Sequence, residues 1–383
     1  MKICACSFLE AVHSNSLRLV QLHLAVPQAL QARDLQQALF VATRLGHEAV
    51  VRLLLETGLS LVLAVDGRQN TPLYVAVAHR WPRLTELLAR AGPPDLVNAW
   101  VGARHAAVHL AAQEGLDECL HVLVECGADL RARDSAGCTP LILAVRYKRY
   151  GVMKVLLEHS SSSLNMADHS GRTALHYAAQ SATGVAQLLA AGAEVNVVDG
   201  EGLTPLLIAA AEGLSGVVKA LAASGRCDVN VALPSSRRTA LHILAHKGHS
   251  DCIAQLLAAG ADVTAADAEG RTAMWFAVSN NRLHVVKELL RASCQANFFI
   301  LTGYDLPHLR ECLALPEAQQ LFERADLQHW LQHARDVMSL RCLCRKWIRH
   351  HLGRHFYCDL QQLPVPDSIR HYLFYGELDD SED

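Results

Sequence analysis

A six-residue segment with the sequence TPLILA, at residues 139–144, recurs along the chain at a nearly constant interval. Close copies begin at residues 71, 173, 204, 239 and 272, and weaker copies begin at residues 37 and 106. Successive starts are therefore 31 to 35 residues apart. A period of this length indicates a repeat protein, in which each unit buries its apolar face against its neighbours. We expect a stack of eight similar units instead of one closed core.

The remainder of each unit predicts two helices and a hairpin. Thr139 suits the N-cap of the first helix and Pro140 its first turn. The second helix usually ends on a Gly-Ala-Asp sequence such as residues 127–129, where glycine favours a left-handed helix stop. A following Asp-x-x-Gly sequence, as at Asp134 to Gly137, predicts the tip of a short hairpin.

These features resemble the ankyrin-repeat family, whose signature is Thr-Pro-Leu-His-x-Ala. The resemblance covers residues 35–297 as eight repeats, although residues 232–236 lack the Asp-x-x-Gly tip. It implies an all-α solenoid with short β-hairpin fingers. We interpret residues 1–34 as a degenerate N-terminal cap or half-repeat. Its expected packing positions are Leu9, Ala11, Val12, Leu17 and Leu19.

The composition changes after residue 297, since 11 of the 21 aromatic residues lie in residues 298–383. We interpret residues 298–337 as a helical cap or linker. From Leu340 to Leu352, apolar side chains recur at helical spacing and form one stripe. The prolines of the segment 363–366 (LPVP) then require an extended backbone. Residues 379–383 form an acidic tail.

The order of this helix and the Leu-Pro-Val-Pro segment resembles a SOCS box, over residues 338–378. With the preceding repeats, the chain resembles the ankyrin-repeat and SOCS-box family. The resemblance implies a small three-helix module that binds elongin B, elongin C and cullin-5. In that family a leucine, here Leu340, enters a pocket on elongin C. The implied elongin contacts are Leu340, Leu343, Cys344 and Ile348, and the implied cullin contacts are Leu363, Pro364, Val365 and Pro366.

The function that this resemblance implies is substrate recognition within an elongin B/C–cullin-5–RING ubiquitin ligase. The chain would be a non-catalytic subunit, because a separate RING protein brings the ubiquitin-charged enzyme. The alternative is a non-catalytic ankyrin-repeat scaffold whose C-terminal segment only caps the solenoid. An amphipathic helix alone is usually ordinary core. A module of about 40 residues, however, buries too little area to fold alone, which favours a partner.

Finger tips and first helices are the expected contacts with an unidentified target protein. At the variable positions of the fourth to eighth units, five Arg or Lys residues stand against three Glu residues. This excess predicts an acidic target, and the alternative is a mixed, solvated groove. The candidate target-binding residues are Arg146, Tyr147, His169, Arg172, Arg238, Lys247 and Arg271.

Catalytic, metal and cofactor sites are not expected. The pairs Cys4-x-Cys6 and Cys342-x-Cys344 have no second pair at zinc spacing. His109 stands at the repeat's own histidine position, which normally hydrogen-bonds the hairpin backbone. Cys344 lies on the apolar stripe, so we interpret it as a packing residue and not as a nucleophile.

The expected location is the cytoplasm, extending to the nucleus. The sequence contains no run of about 18 apolar residues, so we expect no membrane-spanning helix. No cleavage pattern follows the apolar run 3–9, so we expect no signal peptide and reduced cysteines. The basic residues within 341–355 suit a solvated helix face or an interface rim. Nucleic acid is not an expected partner, because the net charge is −3.

Overall fold

The computed structural model describes residues 5–25, 30–102, 105–159 and 162–296. The predicted cap or linker, SOCS box and acidic tail lie outside these residues. The chain divides into an N-terminal unit that ends at Ile208 and a C-terminal unit that begins at Ala209. The boundary falls within one helix, α13 (Pro205–Glu212).

Pairs of short helices make up the described part of the N-terminal unit. Two 3₁₀ turns, Leu59–Leu63 and Pro94–Leu96, and one antiparallel hairpin, β1 (Trp100–Val101) with β2 (His105–Ala106), connect some of them. The helices before α13 are α1 (Ala5–His13), α2 (Leu17–Leu24), α3 (Ala32–Leu45), α4 (Glu48–Thr57), α5 (Pro72–Ala78), α6 (Pro82–Ala91), α7 (Ala107–Glu114), α8 (Asp117–Glu125), α9 (Pro140–Arg146), α10 (Tyr150–His159), α11 (Ala174–Ser181) and α12 (Val185–Ala190).

The C-terminal unit continues the same pattern. Two isolated β-bridges, Ala232 with Thr239 and Ala266 with Thr272, close its fingers. Its helices after α13 are α14 (Ser215–Ala223), α15 (Ala240–Lys247), α16 (Ser250–Ala258), α17 (Ala273–Ser279) and α18 (Leu283–Ala296). None of the helices in the described part of the chain has the length and apolar character that a membrane span requires.

Within the N-terminal unit, and likewise within the C-terminal unit, equivalent helices of successive repeats stack on one another. In the N-terminal unit the first helices α3, α5, α7, α9 and α11 contact in succession, as do the second helices α4, α6, α8 and α10. In the C-terminal unit α15 contacts α17, and α14, α16 and α18 contact in succession. The last alanine of the recurring segment is fully buried where helices stack, as at Ala76, Ala144 and Ala178. The predicted two-helix repeat with short hairpins is confirmed.

The N-terminal segment that we interpret as a cap or half-repeat contains a helix pair. Helix α1 packs on α2 and on α3, and Ala11 and Val12 are buried as expected. Leu17 and Leu19 are 37% and 47% exposed, so their prediction as packing positions was wrong. Val20 is fully buried in their place, because the apolar side of α2 turns it toward the core.

Candidate protein-binding surface

Five aspartates organise finger tips in the described residues: Asp66, Asp134, Asp168, Asp199 and Asp267. In each finger, one carboxylate oxygen accepts hydrogen bonds from the backbone N–H groups two and four residues later. For Asp168 these donors are Ser170 and Arg172, both at 2.9 Å. The backbone N–H of Asp168 also donates to the carbonyl of Arg172 at 2.9 Å. The predicted Asp-x-x-Gly tip is therefore an aspartate-closed turn.

Two of the finger carboxylates, Asp199 and Asp267, are held in their charged form. Burial alone would raise the pKa of Asp199, but backbone hydrogen bonds and the Arg172 guanidinium lower it overall. Burial also opposes ionisation of Asp267, yet hydrogen bonds from Arg271 and from backbone N–H groups lower its pKa to about 2. Its side chain is only 1% exposed. These carboxylates therefore remain anionic wherever the protein is folded near neutral pH.

Three buried histidines connect first helices to fingers. Backbone N–H groups donate to Nδ1 of His109, His176 and His242 at 3.1 to 3.2 Å. Because Nδ1 accepts, Nε2 carries the proton and donates to the carbonyl oxygens of Ala132, Leu203 and Arg271 at 3.0 to 3.2 Å. The expectation that His109 hydrogen-bonds the hairpin backbone is confirmed.

These histidines predict an acid-sensitive stability. Burial lowers the pKa of all three, and the nearby finger carboxylates only partly oppose this. The pKa of each histidine in the folded protein lies below the ordinary value of 6.5. The contribution of each histidine to the free energy of unfolding is therefore complete above pH 6.5. It is lost as the pH falls toward the folded pKa. Each contributes a slope of up to about 1.4 kcal/mol per pH unit within that window.

Urea unfolding measured between pH 8 and pH 5 checks this expectation. The His242→Gln variant should be less stable at pH 8, and its stability should fall less steeply below pH 6.5 than that of the wild type. His246→Gln is the control, because His246 is exposed on the same helix. A slope that His242→Gln leaves unchanged would contradict the assignment.

Arg172, Arg238 and Arg271 are paired with the finger aspartates. The Arg172 Nε lies 2.9 Å from the Asp199 carboxylate, in the next finger of the N-terminal unit. Arg238 and Arg271 both contact Asp267 Oδ2, at 3.4 Å and 2.9 Å. Since these arginines are 20 to 36% exposed, a bound protein could contact only their outer edges. Their main interactions stabilise the fingers.

Aromatic rings hold the two arginines of the C-terminal unit in place. The guanidinium of Arg238 lies 4.6 Å from the ring centre of Phe276. That of Arg271 lies 4.9 Å from the Trp275 ring and 5.0 Å from the Phe276 ring. Such cation–π contacts fix the planar guanidinium groups. This part of the C-terminal unit therefore holds two preorganised guanidinium groups, whose charges are balanced by Asp267 and Glu269.

Arg146 and Tyr147 lie at the C-terminal end of α9 and are exposed. The guanidinium of Arg146 lies 5.5 Å from the Tyr177 ring, and the Tyr177 hydroxyl donates to Asp168 at 2.6 Å. Tyr147 is 44% exposed. Arg146 is thus oriented by an aromatic ring while its charge stays accessible, and Tyr147 adds exposed aromatic area. Both residue types are frequent in binding hot spots.

His169 and Lys247 are exposed, on different units. The His169 ring lies against Gly137, where a Cβ would come within 2.5 Å of it, and its backbone N–H donates to Ala136 O at 3.1 Å. The ammonium group of Lys247 donates to the carbonyl of Ala211. His169 therefore lies exposed at a finger tip of the N-terminal unit. Lys247 links successive repeats of the C-terminal unit.

Two contacts were not anticipated from the sequence. The Tyr177–Asp168 hydrogen bond joins a first helix to its own finger. Tyr74 stands at the repeat's histidine position, and its hydroxyl lies 2.8 Å from Nε2 of His105 in the following hairpin. The tyrosine at this position could have indicated the contact with the next hairpin, because its hydroxyl extends further than an imidazole ring.

The described residues contain no group of three or more His, Cys, Asp or Glu side chains that could hold a metal ion. Burial raises the pKa of the Cys138 and Cys227 thiols to about 11. These thiols are therefore protonated near neutral pH and are weak nucleophiles. The predicted elongin contacts at residues 340–348 and cullin contacts at residues 363–366 lie outside the described residues.

Two family models match the sequence. The model for ankyrin repeats (3 copies) matches residues 108–199, 161–233, 182–267 and 206–300. The SOCS box model matches residues 336–373. The second match includes every residue predicted to contact elongin or cullin.

Curated proteins and a solved structure are similar to the repeats. E3 ubiquitin-protein ligase KEG of Arabidopsis thaliana is 30% identical over 277 residues, which are 70% of this chain and 15% of the relative. The B-cell lymphoma 3 protein homolog of Mus musculus is 33% identical over 209 residues, or 52% of this chain and 41% of the relative. The chain thus spans less than half the length of either relative. The crystal structure of the ankyrin repeat domain of Bcl-3 has a TM-score of 0.52 and 26% identity, and the match covers 59% of this chain and 99% of that chain.

Proposed function

The chain belongs to the ankyrin-repeat and SOCS-box protein family, and we propose that it is the substrate-recognition subunit of a ubiquitin ligase. Elongin B, elongin C, cullin-5 and a RING subunit form the rest of this ligase. One observation carries the proposal: a SOCS box match, at residues 336–373, lies on the C-terminal side of the ankyrin-repeat matches, which end at residue 300. That a relative with similar repeats is an E3 ubiquitin-protein ligase supports it.

The proposed mechanism is proximity. The fingers and first helices bind a target protein, and the C-terminal module binds the ligase core through the apolar stripe at Leu340, Leu343, Cys344 and Ile348. Holding target lysines near a ubiquitin-charged enzyme supplies effective concentration and orientation. The chain itself contributes no catalytic group. We place this activity in the cytoplasm and the nucleus.

Co-expression with elongin B and elongin C, followed by size-exclusion chromatography, tests the proposal. The wild-type chain should elute together with both elongins as one complex. If the chain elutes without the elongins, the ligase proposal is wrong. The chain would then be a repeat scaffold whose C-terminal segment is a cap.

The cullin contacts predict a separable defect. We expect the double variant Pro364→Ala, Pro366→Ala to retain elongin B and elongin C but to bind cullin-5 at least tenfold more weakly. The physical reason is that proline pre-orders the extended segment 363–366, so its loss raises the entropic cost of binding. Pro316→Ala, outside the SOCS box match, is the control. Titration of cullin-5 against the elongin-bound complexes measures both effects, and equal cullin-5 affinities for variant and control would exclude this role.

A further inference from the structure

One finger of the C-terminal unit lacks the carboxylate that closes its neighbour. This seventh finger comprises residues 232–239. The backbone N–H of Leu233 donates to Arg238 O at 2.9 Å, and the N–H of Arg237 donates to Leu233 O at 2.7 Å. In the next finger, the N–H of Asp267 donates to Arg271 O at 2.9 Å. Leu233 therefore occupies the position of the closing aspartate, in a tip that is one residue longer.

The missing carboxylate leaves backbone donors without an acceptor. In the next finger, Asp267 Oδ1 accepts from the N–H groups of Glu269 and Arg271, both at 2.9 Å. In the seventh finger, the N–H groups of Ser235, Ser236 and Arg238 have no hydrogen-bond acceptor among the described residues. Ser235 is exposed. Successive backbone N–H groups in a turn form a concave site suited to an anion.

The seventh finger also carries excess positive charge. Arg237 is exposed, and it forms no ion pair within the described part of the chain. Arg238 shares its partner, Asp267, with Arg271. The other nearby acid, Glu269, lies 2.5 Å from Arg271. Asp267 and Glu269 are therefore already engaged by Arg238 and Arg271 and do not neutralise Arg237.

The backbone at Arg237 is in a strained conformation. Its φ is +53°, in the left-handed region where Gly137, Gly171, Gly202 and Gly270 stand in the aspartate-closed fingers. Glycine adopts this conformation freely, but any residue with a Cβ is strained in it. Gln69 is in the same conformation in the second finger, at φ +65°. Among the described finger tips, Arg237 is the charged residue in this conformation, which Arg80 and Lys148 adopt outside the fingers.

We propose that the seventh finger binds an anionic group of a protein segment, either a carboxylate or a phosphate. The anion accepts hydrogen bonds from the N–H groups of Ser235 and Ser236 and pairs with the Arg237 guanidinium. It supplies an acceptor to the finger backbone, as the aspartate carboxylate does in other fingers. Charge-assisted bonds of this kind are short and strong. The proposal rests on the proposed function, because the ligase target would supply the anion.

Fluorescence anisotropy with the purified full chain tests this site. Three labelled peptides share a Gly-Ser background and differ at one residue, which is glutamate, phosphoserine or glutamine. At least one anionic peptide should bind about tenfold more tightly than the glutamine peptide. Arg237→Gln should remove this difference, whereas Arg226→Gln, at another exposed arginine of the same unit, should preserve it. Leu233→Asp supplies an internal carboxylate and should also remove the difference.

Each outcome is decisive. Equal affinities for the three peptides, binding too weak to measure, or equal effects of Arg237→Gln and Arg226→Gln would overturn the proposal. Tighter binding of the glutamate or of the phosphoserine peptide identifies the source of the anion. Because this assay contains no elongin, anion binding and elongin binding can fail independently.

Discussion

Replacing Leu340 by aspartate is expected to abolish co-elution of the chain with elongin B and elongin C. The resemblance places this leucine in an apolar pocket of elongin C, where a carboxylate would be buried without a partner. Such burial costs several kcal/mol, and each 1.4 kcal/mol weakens binding about tenfold. We therefore expect affinity to fall by a factor of at least about 100. Size-exclusion chromatography and titration calorimetry measure the loss.

Leu22→Asp is the matched control, because Leu22 is 58% exposed on α2 in the N-terminal unit. It introduces the same side chain where no elongin contact is predicted, so its complex should elute like the wild type. Retention of both elongins by Leu340→Asp would show that the pocket residue is assigned incorrectly.

Asp267→Ala is expected to destabilise the C-terminal unit by about 3 kcal/mol. The variant leaves Arg238 and Arg271 without their shared carboxylate. It also leaves the N–H groups of Glu269 and Arg271 without an acceptor. Because both arginines are partly exposed, we expect the loss in the free energy of unfolding to lie at the low end of the range for a broken buried ion pair.

Urea unfolding at pH 7 measures this loss. Asp262→Ala is the control, because Asp262 also accepts a backbone bond, from Thr264 at 2.8 Å, but is exposed and pairs with no arginine among the described residues. The folded pKa of Asp267, about 2, lies below its ordinary value of 3.8. Its contribution is thus complete above that value and is lost as the pH falls toward 2. Equal losses in the two variants at pH 7 would contradict the network.

The repeat architecture could be predicted because its signals are local. A capping threonine, a proline in the first turn and an aspartate at the finger tip each act within a few residues. The bond from His109 to Ala132 was also predictable, since the repeat fixes the position of both groups. Local sequence signals therefore predicted the helices and fingers, and the resemblance to the repeat family implied the role of His109.

The roles of the exposed charges could not be predicted in this way. Arg172 and Arg238 stand at variable positions, yet each reaches an aspartate 27 or 29 residues later. Such pairing depends on side-chain directions across stacked repeats, which a count from the repeat threonine does not contain. The same limit applies to the seventh finger. The sequence showed that its aspartate is missing, but only the backbone register places Leu233 at that position.

The central claim is that one chain holds a target and connects it to a ubiquitin ligase. Proximity labelling combined with ubiquitin quantification in cells tests it most directly, with the wild type compared with the Pro364→Ala, Pro366→Ala variant. We predict a set of proteins that both chains label equally and that only the wild type causes to be ubiquitylated. If every protein labelled by both chains is ubiquitylated to the same extent, the chain is a scaffold and the account is contradicted.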